Sequence, residues 1–372
     1  MVLKIGPLAV DPGVVLAPMA GVTNGAFRAL CRSYGAGLYV SEMTSARALV
    51  EGNARTRDMV AAEPGEDVHS IQLYGVDPQV VGRAIRLLVD EHGVHHVDLN
   101  MGCPSPKVTR RGGGAALLVH RVLFRDLIRE AVRSAGAVPV TVKMRIGVDD
   151  ATVTYLDCGR IAAQEGVAAV ALHARTAEQL YSGRADWSAI ARLKEAVTEV
   201  PVLGNGDIWT GADAVRMVGE TGCDGVVIGR GCLGRPWLFR DLVDAFAGRA
   251  AQGPPLLGEV IRVMREHARL IVEHKSDEVF GMRDFRKHVG WYFTGYPVGP
   301  ERRRLLGLVS TLAELDELLA PLDPNTMLPP AADALPRGHS HGPRPVHLPE
   351  GWRETAEDPT PPTGADVLTS GG

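Results

Sequence analysis

The stretch Val97-Asp98-Leu99-Asn100-Met101-Gly102-Cys103-Pro104 decides the fold, because it joins the end of a buried strand to a loop that can carry chemistry. Residues 94–99 read as a short apolar strand. Asn100 closes it with a side chain that both donates and accepts hydrogen bonds, and Gly102 lets backbone or ligand come close. Cys103 then sits where an enzyme would keep a proton donor. The competing reading is an inert buried thiol, the commoner fate of a free cysteine.

The same arrangement recurs along the chain. Short β-branched runs at 14–17, 38–42, 68–73, 94–99, 138–144, 168–173, 200–204 and 225–228 predict eight strands. Helical periodicity at 77–92, 155–165, 187–197 and 211–221 fills connections long enough for parallel crossovers. The class is α/β, and a (β/α)8 TIM barrel over residues 1–245 is the economical architecture. A doubly wound sheet competes, but no glycine-rich turn follows the first strand. In a barrel the carboxyl ends of the strands share one mouth. Pro18 and Met19, Gln72, Asn100 and Cys103, Lys143 and Arg145, His173 and Arg175, Asn205, Gly206 and Asp207, and Gly229 with Arg230 all fall at that end.

Composition limits the rest. The 372 residues, 45% of them hydrophobic, suffice for one large domain and a small one. A net charge of −4 excludes a protein that coats nucleic acid by bulk charge, so any RNA contact must be regional. The cysteines Cys31, Cys103, Cys158, Cys223 and Cys232 show no C-x-x-C pair and no zinc spacing. Neither a disulfide framework nor a metal site is expected, and a reducing cytoplasm is the natural setting. The N-terminal apolar stretch is interrupted by Asp11 and Pro12 and reads as the first strand rather than a signal peptide. No later segment is long enough to span a membrane.

Two loops point to an anion. Gly204-Asn205-Gly206-Asp207 precedes a helix, and Gly229-Arg230-Gly231 can offer backbone N–H groups while Arg230 forks onto phosphate oxygens. Such barrels bind phosphate after strands seven and eight. Lys143 lies in the apolar run Val140-Thr141-Val142-Lys143-Met144, where desolvation demands an anionic partner. The electron-rich N1/O2 edge of a reduced flavin is one, a Schiff base is a rival use, and a structural salt bridge is the plain alternative. His173 reads equally as ligand contact or core histidine.

With these residues in view, the chain resembles the flavin-dependent tRNA-dihydrouridine synthases, most closely the bacterial B-type. Eight motifs recur in order between about residues 16 and 322. They are Ala17-Pro18-Met19-Ala20-Gly21-Val22-Thr23, Ile71-Gln72-Leu73, Asp98-Leu99-Asn100-Met101-Gly102-Cys103-Pro104, Val142-Lys143-Met144-Arg145, Leu172-His173-Ala174-Arg175-Thr176, Tyr181-Ser182-Gly183-Arg184-Ala185-Asp186-Trp187, Gly204-Asn205-Gly206-Asp207 and Gly229-Arg230-Gly231. The resemblance implies an FMN ring against Pro18, Met19 and Ala20, with Gln72 on its pyrimidine edge and Lys143 at N1/O2. It implies a ribityl phosphate at Asn205, Gly206, Asp207, Gly229 and Arg230. Asn100 would position the target uracil, His173 and Arg175 would flank flavin and uridine, and Arg145 would join the substrate contacts. NADPH (or NADH) would be the reductant and Cys103 the acid that protonates C5. Departures are Ser105-Pro106 after Cys103-Pro104 and the glycine-rich Gly112-Gly113-Gly114, which leave the shape of that loop open.

Residues 246–322 read as a small helical bundle, which in the family binds tRNA. Arg262, Arg265, Arg269, Lys275, Arg283, Arg286, Lys287 and Arg302 to Arg304 suit an RNA backbone, while Phe280, Phe285, Trp291, Tyr292 and Tyr296 suit a bundle core. Lys107, Arg110 and Arg111 form a second basic loop. Residues 323–372 turn proline- and glycine-rich and read as a disordered tail, in which His339 and His341 are solvated polar residues or incidental metal ligands. A monomer with tRNA as partner is expected. Two other functions stay open: a dihydroorotate dehydrogenase-like barrel, although Ser105 stands where that family would place asparagine, and a non-catalytic tRNA-binding protein, against which Cys103 and Lys143 argue.

Overall fold

The computed structural model describes residues 2–35, 37–330, 332–338 and 342–365. Strands β1 (Leu3–Ile5) and β2 (Leu8–Val10) form an antiparallel hairpin. Nine more strands follow: β3 (Val14–Leu16), β4 (Leu38–Tyr39), β5 (Met43–Ser45), β6 (Ser70–Tyr74), β7 (His96–Met101), β8 (Val140–Arg145), β9 (Ala169–His173), β10 (Val202–Asn205) and β11 (Gly225–Ile228). Their order, β4-β3-β11-β10-β9-β8-β7-β6-β5, is parallel at every pairing. The two edge strands are halves of one barrel strand. Ser41 spans the break, donating its backbone N–H to Ser70 and accepting the Gln72 N–H on its hydroxyl. The protein is therefore a (β/α)8 TIM barrel. Its second strand, expected unbroken over 38–42, is split because a hydroxyl replaces a carbonyl in the ladder.

Around the sheet lie α1 (Gly25–Arg32), α2 (Ala46–Val50), α3 (Ala54–Met59), α4 (Pro78–Asp90), α5 (Pro106–Thr109), α6 (Arg121–Ala135), α7 (Tyr155–Gln164), α8 (Trp187–Ala196), α9 (Gly211–Thr221) and α10 (Leu238–Phe246). Their ends follow from local chemistry. Asp77 accepts the N–H groups of Gln79 and Val80, with Pro78 next to it. Thr210 and Asp213 form a reciprocal capping box.

The hairpin, which periodicity missed because each strand has three residues, plugs the amino-terminal end of the barrel. Leu3, Ile5 and Val10 are buried with Val15, Leu38, Ala169, Ala171, Leu203 and Val227 in one apolar cluster. A second core joins barrel and bundle. Helices α11 (Leu257–Lys275), α12 (Glu278–Tyr292), α13 (Pro300–Leu306) and α14 (Leu312–Leu319) pack Met264, Ile271, Phe285 and Tyr292 against Ala26 and Leu30 of α1 and against Trp237. Phe285, Tyr292 and Tyr296 are packing residues, whereas Phe280 stays 59% exposed.

The reading of residues 323–372 as disordered needs correction for their described part. It is irregular in backbone yet packed. Arg235 pairs with Asp333, Arg337 donates to the Trp291 carbonyl, the Arg344 N–H reaches the Glu178 carbonyl, and Arg353 pairs with Asp149. Trp352 is buried. A few anchors hold a polar chain whose average composition hides them. His339 and His341 lie outside the described residues.

Shortening Ile5 to Ala should leave a cavity under the barrel and cost about 2–4 kcal/mol of stability, read as the urea midpoint. An unchanged midpoint would mean that the hairpin contributes nothing to the barrel core.

Candidate active site

Side chains on alternate positions of a barrel strand point inward, and on β6, β7 and β8 those positions are polar. Ser70 sits beside His96, Gln72 beside Asp98, Asp98 beside Thr141, and Asn100 beside Lys143 in the ladder. Hydrogen bonds link them into one chain. The Ser70 hydroxyl lies 2.7 Å from His96 Nδ1, and His96 Nε2 lies 2.9 Å from the Thr141 hydroxyl. Thr141 donates to Asp98 Oδ1 at 2.6 Å, and Gln72 Nε2 donates to Asp98 Oδ2 at 2.7 Å. Asn100 Nδ2 donates to Gln72 Oε1 at 2.8 Å, while its own Oδ1 accepts the N–H groups of Gly102 and Cys103 at 3.2 and 2.9 Å. Because Thr141 gives its proton to Asp98, it must accept from His96, which is therefore protonated on Nε2 and accepts on Nδ1.

Burial tunes every ionisable group here. It lowers His96 to about 3, and it raises Asp98 to about 6 against the opposing hydrogen bonds from Thr141 and Gln72 and the charge of Lys143. It lowers Lys143 to about 8, with Arg145 acting the same way and Asp98 against. Lys143 is half-buried and makes no salt bridge among the described residues, which removes the structural ion-pair reading. His173 is pushed well below its ordinary range by burial and then by Arg145, Lys143, Arg175 and Arg230, so it is neutral. Burial also raises the Cys103 thiol, against a backbone hydrogen bond at Ser105 and the charge of Arg145.

These residues surround a cavity of about 420 Å³ at the barrel mouth, within the range of about 300–1,000 Å³ typical of small-molecule sites. Pro18, Met19, Ala20, Gln72, Asn100, Cys103, Lys143, Arg145 and His173 are among the residues that line it. A cleft beside it is lined by Asn205, Gly206, Asp207, Gly229 and Arg230 and shares Pro18, Met19, Lys143 and His173 with the first. At Gly206 the backbone takes φ +135, and a Cβ would stand 2.6 Å from Ala185, so only glycine fits there.

Three expected ligand contacts have other work. Arg175 is 1% exposed and lines neither space. Its Nε and Nη2 donate to the carbonyls of Ser182 and Gly183, and Nη2 grips Asp207 at 2.7 Å, which leaves buried Nη1 without a partner. Arg175 thus braces Asp207 and the Ser182–Gly183 turn and does not face the cavity. Asp207 accepts from Arg175 and from the Ala185 N–H, and so organises that end. The Asn205 amide donates to the Val227 carbonyl.

Other lining residues were not expected at the mouth. Tyr181 borders both spaces, with the Arg230 guanidinium 4.4 Å from its ring centroid and Arg145 at 5.7 Å. Trp209 flanks Arg230 from the cleft at 5.3 Å. Met43, Lys287, Trp291 and Gly338 also line the larger cavity, the last three from the bundle and the chain beyond it. Tyr181 lies inside a quoted motif, but nothing in sequence brings residues 287, 291 and 338 to the mouth.

The bundle's basic residues are largely spoken for. Arg265 pairs with Asp316, Arg269 with Glu266 and Glu273, Lys287 with Asp284, and Arg304 with Glu301. Arg286, Arg302 and Arg303 donate to the carbonyls of Val309, Leu318 and Phe293. Arg283 stays exposed without an ion pair among the described residues.

The excess of cations over carboxylates and the glycine cradle at Gly206 suit an elongated anionic cofactor with an apolar ring, as FMN is. Fold and mouth define a TIM-barrel enzyme. Histamine dehydrogenase from Rhizobium sp. 4-9 shares the fold with a TM-score of 0.51 at 13% identity, over 72% of this chain and 50% of that chain. The dihydrouridine synthase (Dus) family matches residues 15–325, and the chain belongs to that family. It is 52% identical to a "probable tRNA-dihydrouridine synthase" of Mycobacterium leprae, over 96% of this chain and all of that one. A Mycobacterium tuberculosis relative of the same description is also 52% identical, over 100% of this chain and 97% of the relative. The "tRNA-dihydrouridine synthase B" of Pseudomonas syringae is 40% identical over 82% and 89%. The family assignment sets aside the dihydroorotate dehydrogenase reading.

Asp98 gives a pH signature. Its folded pKa, about 6, lies above the ordinary 3.8, so the protonated form stabilises the fold. That contribution is full below about pH 4 and is lost as pH rises through 6. Relative to Asp98→Asn, the wild type should lose up to about 3 kcal/mol between pH 4 and 7, measured from urea midpoints. Parallel pH profiles for the two proteins would show that Asp98 is not the strained group.

Proposed function

We propose that this enzyme reduces the C5–C6 double bond of uridines in tRNA to 5,6-dihydrouridine, with FMN as cofactor, NADPH (or NADH) as reductant and Cys103 as proton donor. The observation that carries the reading is a thiol that opens into the mouth cavity, its pKa raised by burial, in a wall shared with Lys143, which makes no salt bridge among the described residues. Family membership and the names of the relatives support the reaction and the tRNA substrate.

Bound FMN would supply the hydride that C6 receives. The chain's own residues do the rest. Cys103 Sγ would deliver its proton to C5, which requires the thiol form, and the raised pKa supports this. Arg145 holds the loop that carries the thiol, donating to the Gly102 carbonyl at 2.9 Å and to the carbonyls of Thr176 and Leu180. Pro18, Met19 and Ala20 would bear on the ring face, Gln72 on the pyrimidine edge, and Lys143 on the N1/O2 side. Arg230, Gly206 and Gly229 would take the phosphate, with Asn205, Asp207 and Arg175 bracing that end. Asn100 both borders the cavity, where the uracil would enter, and fixes the Cys103 backbone. A uridine must leave its stack to reach this depth, at a cost of a few kcal/mol. Lys287 and Trp291 stand on the cavity wall to receive it, and exposed Arg283 and the loop of Lys107 and Arg110 are available to phosphates.

Cys103→Ala should keep flavin content and the rate of reduction by NADPH within about twofold, yet slow dihydrouridine formation by about 10²-fold or more, because only the proton-transfer step loses its donor. Serine should rescue poorly. Parallel loss of flavin would assign Cys103 to binding instead. Lys143→Met should keep the fold, slow flavin reduction and lower the flavin potential, as followed by redox titration. An unchanged potential would place the lysine away from the N1/O2 edge.

A further inference from the structure

The glycine run at 112–114 has no part in the chemistry above, yet it separates the proposed proton donor from the chain's C-terminal strap. On one side Gly114, at φ +56, packs against Cys103. A Cβ at 114 would stand 2.5 Å from the Cys103 carbonyl oxygen and 3.1 Å from its Cβ, and Ala115 donates its N–H to that carbonyl at 3.1 Å. On the other side Gly112, at φ +78, faces Trp352, whose ring a Cβ would meet at 2.8 Å. Trp352 is 4% exposed and donates its indole N–H to the Ala116 carbonyl at 2.8 Å. It stacks on His120 with ring centroids 3.5 Å apart and 23° between planes, and His120 Nε2 lies 2.7 Å from the Trp352 carbonyl. A carbonyl only accepts, so Nε2 donates this shorter bond, while Nδ1 lies 3.2 Å from the Asp358 carbonyl.

We propose that Trp352, latched by His120, is a positioning residue for Cys103: the strap holds the 112–119 turn, and the turn holds the carbonyl of the cysteine. Three consecutive glycines have no side chains to pack and wide backbone freedom, so the turn cannot keep a single shape by itself. Trp352 supplies what the turn lacks, with an aromatic face where residue 112 has no side chain and a hydrogen bond two residues after the Gly114 contact. It does so from beyond residue 325, where the family match ends. The proposal rests on the reading of Cys103 as donor, and positional drift of a reacting group by about 1 Å can cost about 10²-fold in rate.

The test uses the full-length, flavin-loaded protein and two readouts. One is the rate at which iodoacetamide alkylates Cys103, the one cysteine of the five that is not fully buried. The other is the single-turnover rate at which reduced enzyme is reoxidised by tRNA. Trp352→Ala should change the alkylation rate about fivefold or more and slow reoxidation by tRNA about tenfold or more, with flavin content and reduction by NADPH unchanged. Trp352→Phe keeps the ring and loses the indole N–H, and should fall between; it decides the matter if the alanine variant does not fold. Arg353→Ala, which breaks the neighbouring strap contact to Asp149, should behave as wild type in both. Wild-type alkylation and reoxidation in the Trp352 variants would overturn the proposal, as would altered alkylation with normal reoxidation, or a loss of flavin equal to the loss of rate. If wild-type enzyme formed no dihydrouridine, the reaction assigned above would fall, whereas the alkylation rates alone would still decide whether the strap fixes the thiol.

Discussion

Both oxygens of the Asp98 carboxylate are claimed inside the barrel, one by the Thr141 hydroxyl and one by the Gln72 amide, and the rest of the site is built outward from those two bonds. A carboxylate can only accept, so its partners are forced to donate, and each forced donor sets the next. On one side the sequence of bonds runs through His96 to Ser70. On the other it orients Gln72, then Asn100, and ends on the backbone N–H of Cys103. An anion in a low-dielectric interior is costly, which is why its pKa climbs, but the cost is local and the orientation it imposes reaches the mouth. Asn100 illustrates the result. Its oxygen is committed to the loop, so the side chain that closes the strand is also what keeps the thiol in place.

The mouth above this anion has the opposite character. Lys143, Arg145, Arg175 and Arg230 outnumber the carboxylates near them, and burial pushes Lys143, Arg145 and Arg230 toward their neutral forms. Arg175 and Asp207 neutralise one another, and the aromatic faces of Tyr181 and Trp209 take part of the Arg230 charge. What remains is a positive potential at Lys143 and Arg145 beside an apolar wall at Pro18, Met19 and Ala20. Such a site favours a ligand that gains negative charge next to a hydrophobic ring.

Much of this was legible in the sequence because barrel strands impose their period on whatever chemistry they carry. Residues 72, 100, 143 and 173 could be placed at one mouth from strand position alone. The misreadings share one cause: strand position says where a side chain starts and not what captures its far end. Arg175 begins at the mouth, but its guanidinium is drawn under by the carbonyls of Ser182 and Gly183 and by Asp207, which belong to other segments. The bundle's arginines were likewise counted as free charge, whereas carboxylates one turn away and helix-end carbonyls hold most of them. The two three-residue strands of the plug are too short for any period to show.

The strap is the deeper case, because composition argued against structure and its described part is packed all the same. Proline and polar residues cannot form a core of their own. They need not when a few anchors reach an existing one, and here Asp333, Arg337, Trp352 and Arg353 are such anchors. The barrel has reason to accept them. A proton donor must face a cavity that admits a large substrate, so the loop that carries it cannot bury itself in the barrel core. A loop shaped by glycines meets the steric demand at Gly112 and Gly114 and gives up its own rigidity. Rigidity then has to come from outside the loop. The stacked pair of Trp352 and His120 lies on the face of the turn away from Cys103, where it can stiffen the donor without narrowing the entrance.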